Sequence, residues 1–377
     1  MEAPDVDSLE GLRKIIERVR YADESEENEK IALKCIQKAQ FFKDLDLEFE
    51  ARHAYIRNVT FLNKDNLAIA MFPWLLARCD EDRQRFPYYS TLWTYKWIIS
   101  NVKNFARIPL SKIEELIVDF ERRFRDYGAG DKVIHYFKVL YYTAIGELAK
   151  ATTEYQLYLK VANQDGLLDD CDACQPNNLI NYLVSNGEYE EALKMAEPIV
   201  QGDVSCHVVP ETTYPKLIWP SLKLGKWQEA ENYAVLAKKK LSLNQANLRE
   251  ASHLITYYAL KQDFTKGRRV VERQFAYSLR NVSEVDQFYF YLALKDLFAN
   301  MQAADKRTVK LNLPPNDLLF AESGTYSMEE LQRFVDEQLP AVSSALDHRN
   351  GNSYYADLVS QRSQEMQTLA ALVQPLE

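Results

Sequence analysis

Turn-forming residues are scarce in this chain of 377 residues, which has only 11 glycines and 13 scattered prolines. Sandwiches, barrels and collagen-like arrays need many more such residues. No segment alternates convincingly between apolar and polar residues, as a half-buried β-strand would. The composition therefore favours an all-helical fold.

Long apolar runs and clusters of basic residues are missing too. No stretch approaches the ~18 uninterrupted apolar residues of a membrane span, and the first residues lack the basic and apolar regions of a signal peptide. We therefore do not expect a membrane as partner. The formal net charge is -9, and an acidic surface repels a phosphate backbone, so we do not expect a nucleic acid as partner either. Five cysteines are too few for a disulfide framework, which predicts a reducing, cytoplasmic setting.

Enzyme signatures are absent from the sequence. It contains no P-loop, no G-x-G-x-x-G after a strand, no H-E-x-x-H and no G-x-S-x-G. The five histidines are dispersed, and none belongs to a recognisable acid–base frame. We therefore predict a binding protein and not an enzyme.

Helical periodicity and an internal repeat are what the sequence does contain. Apolar residues recur at helical spacing nearly throughout, starting with Leu9, Leu12, Ile15, Ile16 and Val19. A six-residue pattern, which runs from a turn residue to a small or apolar anchor, recurs six times. It is clearest in 187–192 and 225–230 and weaker in 146–151, 262–267, 65–70 and 108–113. Its anchors lie 43, 38, 41, 38 and 37 residues apart, a spacing that predicts stacked helix pairs.

This frame resembles the tetratricopeptide-repeat (TPR) superfamily over roughly residues 47–300. The resemblance implies an all-α, TPR-like solenoid of antiparallel helix pairs, with helical caps at 1–46 and 301–377. The chain is more similar still to uncharacterised bacterial TPR-containing proteins. That likeness rests on 170–174 (DCDAC), on 196–200 (AEPIV) ahead of Cys206, and on 346–352 (LDHRNGN). It implies a fold and no particular activity.

A binding surface follows from the same resemblance, because the first helix of each TPR pair lines the concave face. Counting back from the anchors places these residues there: Tyr136, Asn177, Asn181, Trp219, Arg249, Ser252 and Thr256. Asparagine amides suit the backbone of an extended peptide, and aromatic rings serve as apolar anchors. The predicted function is thus a non-catalytic scaffold or adaptor, in one form regulatory, with a protein or peptide as partner. Tyr136 and Trp219 have inter-helix packing as their alternative role.

The cysteines suggest a second possibility. Cys171 and Cys174 form a C-x-x-C pair, and Cys206-His207 follows about one repeat later, so stacked repeats would bring the four residues together. Three sulfurs and one nitrogen suit a closed, structural zinc site, the one cofactor considered. Asp170 or Asp172 could replace His207 as a ligand. A disulfide and ordinary packed thiols are the alternatives, and a zinc- or redox-dependent module with unrecognised catalytic activity is the alternative function.

The C-terminal region carries helix signals and one further motif. Ser327 and Glu330 form a capping-box pattern that predicts a helix start. Asn350-Gly351 predicts the end of that helix. Arg349 either faces an anionic group or belongs to a basic last turn before the helix stop.

Overall fold

A computed structural model of the protein describes residues 7–161, 166–280, 283–316 and 318–372, and most of this part is helical. The predicted all-α fold of paired helices is confirmed. The chain divides into two compact units, Met1–Val102 with Glu115–Gly128, and Lys103–Glu114 with Ala129–Glu377. The predicted boundaries after residues 46 and 300 stay predictions.

Consecutive helices of the first unit pack against each other. Its helices are α1 (Leu9–Tyr21), α2 (Glu26–Phe42), α3 (Leu45–Phe61), α4 (Asp65–Glu81), α5 (Tyr88–Val102) and most of α6 (Leu110–Tyr127). Ser8, Ser25 and Asp44 cap the first three helices, since each side chain accepts a hydrogen bond from a backbone N–H in the first turn. Cys35 and Cys79 are fully buried in the core.

The described residues of the second unit form five helix pairs. They are α7 (Asp131–Ala144) with α8 (Leu148–Val161), α9 (Cys174–Ser185) with α10 (Tyr189–Gln201), α11 (Thr213–Lys223) with α12 (Trp227–Lys240), α13 (Leu248–Leu260) with α14 (Phe264–Arg280), and α15 (Glu284–Ala303) with α16 (Met328–Asn350). A short 3₁₀ helix, Gln245–Asn247, precedes α13, and α17 (Tyr354–Leu372) ends the described chain. The first helices of successive pairs contact one another, from α7 through α9, α11 and α13 to α15.

The turns inside these pairs explain the repeat pattern. Gly146, Gly187 and Gly225 all have φ between 71° and 79°, a left-handed conformation that glycine adopts without steric cost. The anchor five residues later is a fully buried alanine in each case (Ala151, Ala192 and Ala230). A small side chain at that position lets the second helix cross the first closely.

One predicted repeat register is wrong. The sequence pattern placed the turn at Asp65 and the anchor at Ala70, but Ala70 is exposed. The left-handed residue is Asn63, with φ 56°, and the residue five positions later, Ala68, is buried. Asparagine tolerates the left-handed region better than most residues, so the turn does not need the glycine that marks the clearer copies.

The C-terminal part contains two short strands as well as its two helices. Strands β1 (Thr308–Lys310) and β2 (Thr325–Ser327) pair antiparallel, with Val309 opposite Tyr326. Both parts of the predicted capping box between Ser327 and Glu330 are present. Gly351 ends α16 with φ 69°, as the Asn-Gly pair predicts. In the described part of the chain, no helix is both long enough and apolar enough to span a membrane.

The 346–352 motif connects the end of α16 to the segment 103–105 and to the start of α17. The Nη1 atom of Arg349 donates hydrogen bonds to the carbonyls of Lys103 (2.7 Å) and Phe105 (3.0 Å). The Asp347 carboxylate accepts from the backbone N–H groups of Tyr355 (2.8 Å) and Ala356 (2.9 Å), at the start of α17. Arg349 thus lies in a basic last turn, and carbonyl oxygens of the chain are its partners.

Candidate metal centre and ligand cavity

Three thiols converge as the repeat spacing predicts. The Sγ atoms of Cys171, Cys174 and Cys206 all lie within 4.8 Å of one another. Zinc–sulfur bonds of about 2.3 Å in a tetrahedral site hold sulfurs ~3.8 Å apart. Small side-chain rotations therefore suffice for all three thiols to bind one ion.

Two tight turns hold these thiols in place. The N–H groups of Cys174 and Gln175 both donate to the carbonyl of Cys171, so the pair straddles the start of α9. Cys206 exchanges two backbone hydrogen bonds with Val209 in a four-residue turn. Ala173, Ile199 and Val209 form a small buried cluster beneath the two loops. Apolar contacts therefore keep the two halves of the site together.

The thiols affect each other's protonation. For Cys171, burial raises the pKa, but hydrogen bonds from Cys174 and Cys206 stabilise the thiolate, and the net pKa is lowered. For Cys174, burial raises the pKa, and the neighbouring sulfurs raise it further. The cluster thus has an exposed thiol with a lowered pKa next to a more buried thiol with a raised pKa.

The histidine expected in this group lies outside it. His207 occupies the tip of the Cys206–Val209 turn and is exposed, and the cluster found among the described residues consists of the three cysteines alone. Neighbouring residues in a tight turn project in different directions, so adjacency in sequence does not bring the imidazole to the sulfurs. Asp172 is exposed as well.

A cavity of about 270 Å³ lies elsewhere in the second unit. Side chains from the first helices of four successive pairs line it, together with the end of the α9–α10 turn and the start of α10, while α17 covers one side. The lining includes Asn181, Tyr189, Lys216, Trp219, Arg249, His253, Tyr289, Tyr354, Gln361, Arg362 and Glu365. The cavity thus combines an aromatic wall with a group of cations. The aromatic wall consists of Tyr189, Trp219, Tyr289 and Tyr354, and the cations are Lys216, Arg249 and Arg362.

The three cations of the cavity differ in their partners. Lys216 Nζ donates to the carbonyl (3.1 Å) and side-chain oxygen (3.2 Å) of Asn177. The Arg362 guanidinium lies over the Trp219 ring, 3.6 Å from its centre. The Arg249 guanidinium lies 4.2 Å from the centre of the Tyr289 ring, and it forms no ion pair with a carboxylate among the described residues.

Burial, together with the positive charge of neighbouring cations, lowers the pKa values of two groups in the cavity. Burial lowers the pKa of His253 to about 3, with Arg249, Arg362 and Lys216 adding to the effect. Burial also lowers the pKa of Lys216 to about 8. Because a proton on His253 would face three cations, the imidazole is neutral at physiological pH.

The predicted concave-face residues fall into two groups. Asn181, Trp219 and Arg249 line the cavity together. Tyr136, Asn177, Ser252 and Thr256 are buried, with their polar atoms bonded inside the protein.

Each of these four buried residues forms a hydrogen bond with another residue of the chain. The Tyr136 hydroxyl accepts from Asn178 (2.8 Å), and Asn177 accepts from Thr213 (2.9 Å). Ser252 donates to a carbonyl one turn back, and Thr256 donates to Asp296 (2.9 Å). These four contribute to packing between helices.

Helix α17 contributes cavity-lining residues that the sequence did not indicate. Lys223 of α11 pairs with Glu365 at 2.7 Å, and Arg362 lies 3.8 Å from Asp296 of α15. The helical spacing of Leu358, Met366, Leu369 and Leu372 predicts a helix here, but the sequence gives no signal of the surface on which this helix packs. The spacing of Arg362 and Glu365 on one helix face is the only trace of this role.

A comparison with known proteins finds no protein family whose model matches the chain and no curated protein that matches it. The TPR resemblance therefore stays an interpretation of sequence motifs, and the fold rests on the structure.

Proposed function

We propose that this chain is a non-catalytic binding protein whose partner is a protein or peptide. The face formed by α9, α11, α13 and α15 is the proposed binding surface. One observation carries the proposal: three residues expected on this face from the repeat register, Asn181, Trp219 and Arg249, come from three successive first helices and meet at one cavity.

The chain's own C-terminal helix supports this role. Helix α17 contacts α13 and α15, and its Glu365 pairs with Lys223 of α11. The same face therefore already holds a helix through aromatic, cationic and acidic groups. These groups suit a second helix or an extended peptide that reaches the cavity beside α17.

The test is selection of peptides from an unbiased displayed library with the purified full-length chain, followed by calorimetry. Arg249→Glu should abolish binding of selected peptides, because the charge in the cavity is reversed. Asn181→Ala should weaken it by about three- to tenfold, the value of one or two hydrogen bonds.

Lys194→Glu is the matched control. It makes the same charge change on α10, a second helix, at a side chain that is 72% exposed. Binding should survive this change. If Lys194→Glu abolishes binding while Arg249→Glu does not, the partner uses the second helices and the assigned face is wrong.

The three-thiol cluster supports a second candidate, a zinc- or redox-dependent module. In its structural form, Cys171, Cys174 and Cys206 bind one zinc ion, and water or a neighbouring aspartate completes the four ligands. Thiolates favour zinc over magnesium or calcium. Such an ion would join the loop before α9 to the loop before α11, and its binding energy would add to folding.

Elemental analysis of protein purified without chelator tests the zinc form. One equivalent of zinc, lost in Cys174→Ser together with stability, supports it. Less than about a tenth of an equivalent, with unchanged stability of Cys174→Ser, reduces the cluster to packed thiols. Cys35→Ser is the control, because that thiol is fully buried and outside the cluster.

Mass spectrometry of the same protein separates the redox form. A disulfide between two of the three cysteines after mild oxidation by a disulfide reagent lowers the mass by two hydrogens, which the reagent accepts. Cys171 is the expected attacking thiol, since its pKa is lowered and its side chain is exposed.

A further inference from the structure

We propose that the cavity bounded by α9, α11, α13, α15 and α17 binds a small organic monoanion that carries an aromatic ring, such as an aromatic carboxylate. Arg249 is the proposed partner of the charge, and the aromatic wall is the proposed partner of the ring. This ligand is a free small molecule, so the proposal goes beyond the binding of a protein or peptide.

The size of the cavity sets the size of the ligand. An apolar cavity of about 150 Å³ holds one benzene ring. The present cavity of about 270 Å³ has room for one ring and a carboxylate, but it lies below the range of about 300–1,000 Å³ typical of drug-sized ligands. A compact ring with one acidic group fits it best.

The charges of the cavity favour a single negative charge. Arg362 forms an ion pair with Asp296 (3.8 Å), and Lys216 donates hydrogen bonds to Asn177. Arg249 lies over the Tyr289 ring and forms no hydrogen bond or ion pair among the described residues, so its planar fork can bind a carboxylate through two hydrogen bonds. Glu365 also lines the cavity, and Lys223 pairs with it, so the charge of Arg249 matches a ligand with a single negative charge.

The aromatic wall accounts for the rest of the ligand. Tyr189, Trp219, Tyr289 and Tyr354 contribute rings to the cavity. Rings of this kind hold a second ring in offset or edge-to-face contact. The amides of Asn181 and Gln361 lie in the same lining and can donate to the oxygens of the ligand. An inorganic anion would leave the aromatic surface unused.

The ligand would connect two parts of the second unit. It would contact α17 through Tyr354 or Gln361 and the first helices through Arg249 or Asn181. Occupation of the cavity should therefore stabilise the packing of α17 on the face that we propose for partner binding.

Calorimetric titration of the full-length protein with matched probes tests the proposal. Benzoate should bind with Kd of about 0.1–1 mM, as expected for so few atoms. Benzamide has the same shape without the charge, and its Kd should be at least about tenfold higher. Inorganic phosphate should bind at least about tenfold more weakly than benzoate.

Two variants locate the site. Arg249→Met keeps an apolar stem and removes the charge, and it should raise the Kd of benzoate about tenfold while leaving that of benzamide nearly unchanged. Arg269→Met, at an exposed position of α14, should change neither value. Equal affinity for benzoate and benzamide, stronger binding of phosphate, no benzoate binding at about 10 mM or no effect of Arg249→Met on benzoate would each overturn the proposal. The benzamide comparison needs no variant, so a folding defect in Arg249→Met leaves the test intact.

Discussion

A Cβ atom on Gly146 would lie 2.4 Å from the Cβ atom of Tyr354. The turn between α7 and α8 therefore touches the first residue of α17 with no space for a side chain. Hydrogen bonds surround the contact, from Asn352 Nδ2 to the carbonyl of Ile145 (2.8 Å) and from the Tyr355 hydroxyl to the carbonyl of Ala144 (2.7 Å). These contacts fix the start of α17, the helix that covers one side of the cavity.

We expect Gly146→Ala to lower the free energy of unfolding by about 2–5 kcal/mol. Alanine in the left-handed conformation costs ~1–2 kcal/mol, and displacement of Tyr354 adds ~1–3 kcal/mol. Gly225→Ala is the control, because Gly225 has the same kind of turn, with φ 71°, but open space around its Cβ position. Chemical denaturation should give a loss of only ~1–2 kcal/mol for the control. Equal losses would show that the contact with Tyr354 does not matter.

The sequence predicts the turn at Gly146 but not the contact of this turn with α17. Gly146 belongs to a repeated local pattern, and the turn and its buried anchor follow from that pattern. Ala144 and Tyr355 are 211 positions apart, and no local signal specifies which surface a terminal helix will meet. The packing of α17, and therefore the closed side of the cavity, could not be derived from the sequence.

A pair of alanines in α4 tests the corrected repeat register. Ala68 is buried and Ala70 is exposed. Ala68→Leu should lower the free energy of unfolding by ~1–3 kcal/mol, because it overpacks a close helix contact. Ala70→Leu should change it by less than ~0.5 kcal/mol. The reverse order in thermal denaturation would restore the register in which Asp65 is the turn.

The cysteine cluster shows a similar limit. The convergence of Cys171, Cys174 and Cys206 follows from their separation by about one repeat, since equivalent loops of neighbouring repeats meet. The position of His207 does not follow, because it depends on the conformation of the turn from Cys206 to Val209. Repeat spacing predicts which loops meet, and only the backbone of each loop decides which side chains do.

Acid should destabilise the protein through His253. Burial lowers its pKa to about 3 from 6.5, so between these values the unfolded chain binds more protons than the folded one. The stabilising contribution is present above pH 6.5 and is lost as the pH falls towards 3, by up to about 1.4 kcal/mol per pH unit. His253→Gln should flatten the dependence of unfolding free energy on pH in this range. His348→Gln, at an exposed position, should not, and equal slopes for His253→Gln and the unsubstituted protein would contradict the assignment.

Arg349 should matter for stability far more than its position in a helix end suggests. Its Nη1 atom donates to the carbonyls of Lys103 and Phe105, and its Nε donates to Asn350. Arg349→Met leaves both carbonyls without this donor, and hydrogen bonds to charged groups contribute about 1.5–3 kcal/mol each, so a total loss of about 3–6 kcal/mol is expected in chemical denaturation. His348→Met is the control, because the neighbouring His348 is exposed.

Hydrogen exchange should locate the effect of Arg349→Met. The backbone N–H of Val285 donates to the carbonyl of Asn104, and that of Ala106 donates to Glu284. Both hydrogen bonds involve the segment 103–106, where Arg349 binds two carbonyls. Both amides should therefore exchange faster in the variant. Unchanged exchange at these amides, with a loss of stability no larger than in His348→Met, would mean that the arginine merely fills space at the end of α16.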